Sequence, residues 1–130
     1  MLLSLPLLLI PVITYNLLAF SSGITWSHEV LALDMVSGAR WAMSLADLFL
    51  ALTLVLLFAE ILKSTRTGTV SLVDHILSTG LFVVCLVEFL LLPAAATSVF
   101  FLMTVITLID VVAGFSVTIA AARRDFSVER

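Results

Sequence analysis

The sequence is short of nearly everything a soluble domain uses. Only 12% of its 130 residues are charged, where a soluble domain carries roughly a quarter. It has one cysteine, Cys85, so no intrachain disulfide and no paired-cysteine metal or redox site can form. Its 6 basic residues are outnumbered by 9 acidic ones and make no basic run, which leaves nucleic acid without an electrostatic footing as a partner. No Gly-rich phosphate loop, nucleophile elbow or zinc-protease helix occurs. No low-complexity linker or internal repeat divides the chain, and its halves are too unlike for an inverted repeat.

What fills the sequence instead is apolar residue, 62% of the total. Four stretches, Leu2–Phe20, Leu45–Leu62, Leu72–Leu92 and Ala95–Ala122, take up about two thirds of the chain. Each can cross a bilayer as a helix, since ~20 residues at ~1.5 Å rise cover ~30 Å. The expected fold is all-α, an integral membrane four-helix bundle. It forms one transmembrane domain over residues 1–130, with spans at about 2–21, 43–62, 72–92 and 96–122. The first stretch has a rival reading as a secretory signal peptide, because Ala19-Phe20-Ser21 loosely resembles a cleavage site. No Lys or Arg follows Met1, however, and the run exceeds a usual signal-peptide core. We expect it to be kept as a spanning helix, bent at Pro11, with Pro6 harmless near its start.

The basic residues set the orientation. Lys63 and Arg66 lie in the second connection, and Arg123, Arg124 and Arg130 in the C-terminal tail. The first connection holds only Arg40, and the third, around Pro93, holds no charge. The positive-inside rule then puts both termini in the cytoplasm of a multi-pass inner (plasma) membrane protein. An even number of spans demands the same. The first connection, Ser21–Ser44, is the one sizeable non-spanning piece. Thr25 or Ser27 can cap a helix there, Glu29 suits its first turn, and Trp26, Val30 and Leu33 recur at helical spacing before Gly38. A short amphipathic helix at the outer interface is expected, anchored by Trp26 and Trp41.

The remaining leads are polar residues inside the apolar stretches. In the third span, Ser71, Asp74, Ser78, Leu81, Cys85, Glu88 and Leu92 follow steps of three and four and share one stripe. His75 lies beside it. Leu77, Phe82, Val84, Leu86 and Leu91 form the opposite, lipid-facing side. In the fourth span Thr104, Thr107, Gly114, Thr118 and Ala121 share a stripe with Asp110 at its margin, and Gly114, Thr118 and Ala122 give a small-xxx-small spacing.

Counting ~1.5 Å per residue from the outer ends puts Asp47 and Glu88 ~6 Å deep, Glu60 and His75 ~25 Å, and Asp110 ~16–22 Å. Two polar layers result: an outer one of Asn16, Asp47 and Glu88, and one from midplane to inner side of Glu60, Asp74, His75 and Asp110. An isolated ionised carboxylate costs at least ~2.5–3.5 kcal/mol at the bilayer centre on insertion scales. Asp110 must therefore be protonated, paired or wet, and His75 is a partner within reach of the same layer. Near the helix ends, Asp47 and Glu60 can reach water, and Glu60 can pair with Lys63 one turn on. A metal site from Glu60, His75 and Asp110 would draw its ligands from three different helices. No metal or other cofactor is predicted, and bound lipid or pigment is left open.

Three roles fit. The one favoured is a structural or accessory subunit of a larger membrane complex, with no enzymatic activity. Its partners are the lipid bilayer and other membrane subunits or further copies. The alternative is a homo-oligomeric proton- or cation-coupled transporter or channel using Asp110 and Glu88, with His75. The third is a membrane-embedded enzyme or metal-binding protein.

Overall fold

Proline fixes where the first helix begins. Pro6 lacks an N–H and precedes a tight turn, in which Leu9 N–H donates to Pro6 C=O at 3.1 Å and Ile10 N–H to Leu7 C=O at 3.1 Å. Helix α1 then runs Leu9–Ser21. It is shorter than the expected span from residue 2. Pro11 falls in its first turn, where no intrahelical N–H bond is due, so it does not force the bend expected from the sequence. This computed structural model describes residues 5–21, 23–65 and 69–128. Arg66, Arg130 and the side chains of Ser71, Thr118, Ala121, Ala122 and Arg124 lie outside the described set.

The first connection is not the expected amphipathic helix. It is an antiparallel β-hairpin of β1 (Glu29–Asp34) and β2 (Arg40–Ser44). The helical spacing of Trp26, Val30 and Leu33 covers under two turns, too little for a helix without tertiary support. Alternation serves better: Leu31 opposes Met43 and Leu33 opposes Trp41 across the strands, and such cross-strand pairs are what stabilise a hairpin. Gly38, expected as a helix stop, sits at φ +91° just where Gly38 N–H closes a turn on Met35 C=O at 2.9 Å. Only glycine takes that left-handed position at no steric cost.

Strand β2 passes directly into helix α2 (Leu45–Lys63), for Ser44 is its N-cap. Ser44 Oγ accepts from Asp47 N–H at 3.2 Å, and the Asp47 carboxylate accepts from Ser44 N–H at 3.1 Å, a reciprocal capping box. Two further free amides of this helix start, Leu45 and Ala46, donate to the carbonyls of His28 and Trp26 at 2.8 and 2.9 Å. Helix α3 spans Thr69–Leu91, and a short 3₁₀ turn at Pro93–Ala95 leads to helix α4, Ser98–Val128.

The chain is thus mostly helical, with three helices long and apolar enough to cross a membrane and one shorter apolar helix, α1. Half of the apolar part of α4 is buried (50%), against 22% for each of α2 and α3. Helix α4 packs along both of the other long helices, which contact one another far less. Helix α1 and the turn before it meet α2 at two levels. Its preceding turn meets Glu60 near the C-terminal end of α2, and Tyr15 meets Phe49 near the N-terminal end. Large apolar side chains cover the outside, among them Ile13 and Leu17 on α1, Leu52, Val55 and Phe58 on α2, Ile76, Val83 and Leu90 on α3, and Leu108 and Val112 on α4.

Candidate functional site

The helix directions divide the interior into an aromatic end and a charged end. At the aromatic end Tyr15 stacks on Trp26, with ring centroids 5.1 Å apart, and meets Phe100 edge-on at 4.9 Å. Trp26 also leans on Phe49 at 5.3 Å. The Tyr15 hydroxyl donates to Ala94 C=O at 2.8 Å and lies 2.8 Å from Thr97 Oγ1. A buried phenol needs such partners, and these tie α1 to the α3–α4 connection.

At the charged end three segments meet on Lys63. Its ammonium donates to Glu60 Oε1 at 3.0 Å, Asp74 Oδ1 at 3.4 Å and Leu5 C=O at 2.7 Å. Glu60 Oε1 also accepts from Leu7 N–H at 2.7 Å. Glu60 is only 1% exposed and Asp74 7%, so both carboxylates are withdrawn from water while Lys63 stays at its edge. Helical spacing builds this: Glu60 and Lys63 stand one turn apart on α2, and Asp74 enters from the first part of α3. Asp110 on α4, also buried, lies close to the Ser78 hydroxyl and within electrostatic range of Glu60, Asp74 and Lys63. Three carboxylates and one ammonium thus share this end. Buried ions persist only when paired and hydrogen-bonded, and Lys63 supplies that pairing to two of the three acids. The Glu60–Lys63 spacing is local in the sequence, whereas the reach of Lys63 to Asp74 and Leu5 is tertiary.

His75 does not act as the expected partner of Asp110. Its ring packs edge-on to Phe115, with centroids 4.0 Å apart. It also overlies Gly114, where an added Cβ would come within 2.7 Å of the imidazole. Gly114 therefore serves this close approach. His75 Nε2 is buried without a hydrogen-bond partner, as is Glu88 Oε2. Among the described residues no set of His, Cys, Asp and Glu converges as metal ligands would, so Glu60, His75 and Asp110 do not gather into a metal site.

The outer polar layer is not brought together by hydrogen bonds. Asn16 Nδ2 donates to Val12 C=O in its own helix at 2.9 Å. Asp47 is exposed and engaged in the capping box. Glu88 is half-buried on α3. Of the two tryptophans expected as anchors, Trp26 belongs to the aromatic cluster and Trp41 is exposed on the hairpin. Open surface grooves lie beside Ile13, Asn16, Leu17 and Phe20, and beside Phe89, Thr97 and Phe101. Neither is lined by an ionisable group. No protein-family model, curated protein or solved structure matches the chain.

Proposed function

We propose that this chain is an integral inner-membrane protein that crosses the bilayer four times as a helix bundle, with both termini cytoplasmic. Its role in this reading is that of a structural or accessory subunit of a larger membrane complex. The observation that carries the role is the closure of the charged end: Lys63 is occupied by Glu60, Asp74 and the Leu5 carbonyl. Charges satisfied in this way hold segments together. The continuous apolar exterior suits lipid and neighbouring helices. Orientation is supported by the order of the sequence, in which Lys63, Arg66, Arg123, Arg124 and Arg130 fall on one side of the spans and Arg40 on the other. Four crossings are supported by α1 and the turn before it, which meet α2 at Phe49 through Tyr15 and at Glu60 through Leu7. No enzymatic activity is proposed.

The test is extraction in a mild detergent followed by native mass measurement. This reading expects a defined complex of the chain with at least one different membrane subunit at fixed stoichiometry. A particle made only of copies of this chain would count against it.

A second reading, a proton- or cation-coupled transporter, draws on the seam between α3 and α4. Polar groups follow one another there: His75, then Ser78 with Asp110, then Cys85 and Thr107, then Glu88. Intramembrane ionisable residues often mark ion paths. Reconstituted vesicles decide it. Transport should be seen with the parent chain and lost with Asp110→Asn and Glu88→Gln; unchanged flux in both variants removes the reading.

A further inference from the structure

The β-hairpin has two faces of opposite chemistry. Strand side chains alternate from side to side, so the register fixes which residues share a face. Leu31, Leu33, Trp41 and Met43 fall on one side, as the pairs Leu31–Met43 and Leu33–Trp41. Ala32, Asp34, Arg40, Ala42 and Ser44 fall on the other, and the register break between Glu29 and Leu31 sets Glu29 opposite Ser44, with the exposed Val30 at the break. On that second side Arg40 Nη2 reaches over the two small alanines to Glu29 Oε1 at 2.8 Å, and this ion pair is open to water. The first side is wholly apolar, yet Leu31 is 43% exposed, Leu33 49% and Trp41 42%. Met43, on the same side, is half-buried.

We infer that this apolar face is a membrane-surface plate, seated on the boundary between lipid headgroups and acyl chains. Resting on the membrane reading above, the inference adds a lipid-binding surface to it. The occupant follows from continuity. Ser44 ends β2 and caps α2, so no linker separates the hairpin from a helix whose Leu52, Val55 and Phe58 face outward. The carbonyls of Trp26 and His28 clamp the hairpin base to the first turn of α2. The hairpin is thereby held at the water boundary of that span. An indole suits such a boundary, and Trp41 lies on the apolar face. The charged face, with Glu29, Asp34 and Arg40, then meets water. A protein partner covering the same face is the competing occupant.

Tryptophan fluorescence tests this, since the chain has 2 tryptophans. The Trp26→Phe variant leaves Trp41 as the reporter in phosphatidylcholine–phosphatidylglycerol vesicles. Lipids brominated near the carbonyl end of the acyl chain should quench it strongly and those brominated near the methyl end weakly. Aqueous iodide should quench it little. A second variant, Trp26→Phe/Trp41→Phe/Phe58→Trp, reports on the exposed mid-helix position of α2. If the indole introduced by Phe58→Trp is quenched by deep bromines while Trp41 answers only to iodide, or to neither quencher, the plate is refuted and the membrane reading stands. If the reporter at position 58 is untouched by brominated lipid, the membrane reading itself fails.

Discussion

Lys63 and Asp74 lie at opposite ends of the α2–α3 connection, and the lysine ammonium approaches the Asp74 carboxylate to 3.4 Å inside the protein. The same ammonium holds Glu60 at 3.0 Å and the Leu5 carbonyl at 2.7 Å. One side chain therefore joins α2, α3 and the segment before α1. Removing one member of a buried pair leaves an uncompensated charge, which costs about 3–5 kcal/mol. Lys63→Met should destabilise the protein by about that much, read by thermal or denaturant unfolding in detergent. Adding Glu60→Gln to Lys63→Met should recover part of the loss, because one stranded charge is then gone. A loss under ~1 kcal/mol for Lys63→Met would mean the group is effectively solvated, as for surface pairs.

Gly114 makes room for His75. Gly114→Ala places a methyl 2.7 Å from the imidazole, and His75 is backed by Phe115 at 4.0 Å. Overpacking of this kind costs about 1–3 kcal/mol. The same substitution made in a His75→Ala background should cost little, and the double-mutant cycle should report the coupling directly. Additive effects in that cycle would show that the two residues do not share the space.

The Tyr15 hydroxyl joins α1 to the start of α4. Tyr15→Phe keeps the stack on Trp26 but takes the hydroxyl away from the Ala94 carbonyl, while Thr97 Oγ1 keeps the Phe100 N–H. About 0.5–1.5 kcal/mol should be lost by unfolding. Amide hydrogen exchange should rise around residues 94–97 rather than throughout the chain.

Ser44 links two elements. Ser44→Ala removes half of the capping box and should cost about 0.5–2 kcal/mol. Faster amide exchange at Asp47 N–H, which donates to the Ser44 side chain, should accompany it. Unchanged exchange at that amide would show that the Ser44 side chain does not protect it and that the helix start rests on the Trp26 and His28 carbonyls.

The three long helices were legible because hydrophobic length is a coarse signal that tertiary contacts seldom overturn. Their observed bounds, Leu45–Lys63, Thr69–Leu91 and Ser98–Val128, shift by one to a few residues at most ends. The C-terminal end of α4 shifts further because the polar tail stays helical. The protein-facing stripe of α3 was legible from spacing, and Asp74, Ser78, Leu81 and Cys85 are all buried. The hairpin was missed since two periodicities overlap in Trp26–Asp34. The cross-strand pairs that favour the strand lie about ten residues away in the sequence. The turn before α1 was missed because Pro6 and Pro11 were read against a helix that starts earlier than the one observed. Lys63 was underrated because its reach to Leu5 crosses 58 residues of sequence, a contact no local pattern encodes. His75 was matched to Asp110 on depth alone; helix rotation, which depth ignores, turns it to Phe115.

The central claim is that the chain passes through a bilayer four times, with the charged end and the hairpin end on opposite sides. Substituted-cysteine labelling tests it most directly. In a Cys85→Ala background, single cysteines replace Leu5, Val36, Thr65, Ala96 and Arg123, all of them exposed positions. A membrane-impermeant maleimide is applied to right-side-out and to inverted vesicles. The account predicts that Val36→Cys and Ala96→Cys label only in right-side-out vesicles, and Leu5→Cys, Thr65→Cys and Arg123→Cys only in inverted ones. Labelling of Leu5→Cys together with Val36→Cys from one side, or of all five from the same side, would contradict it.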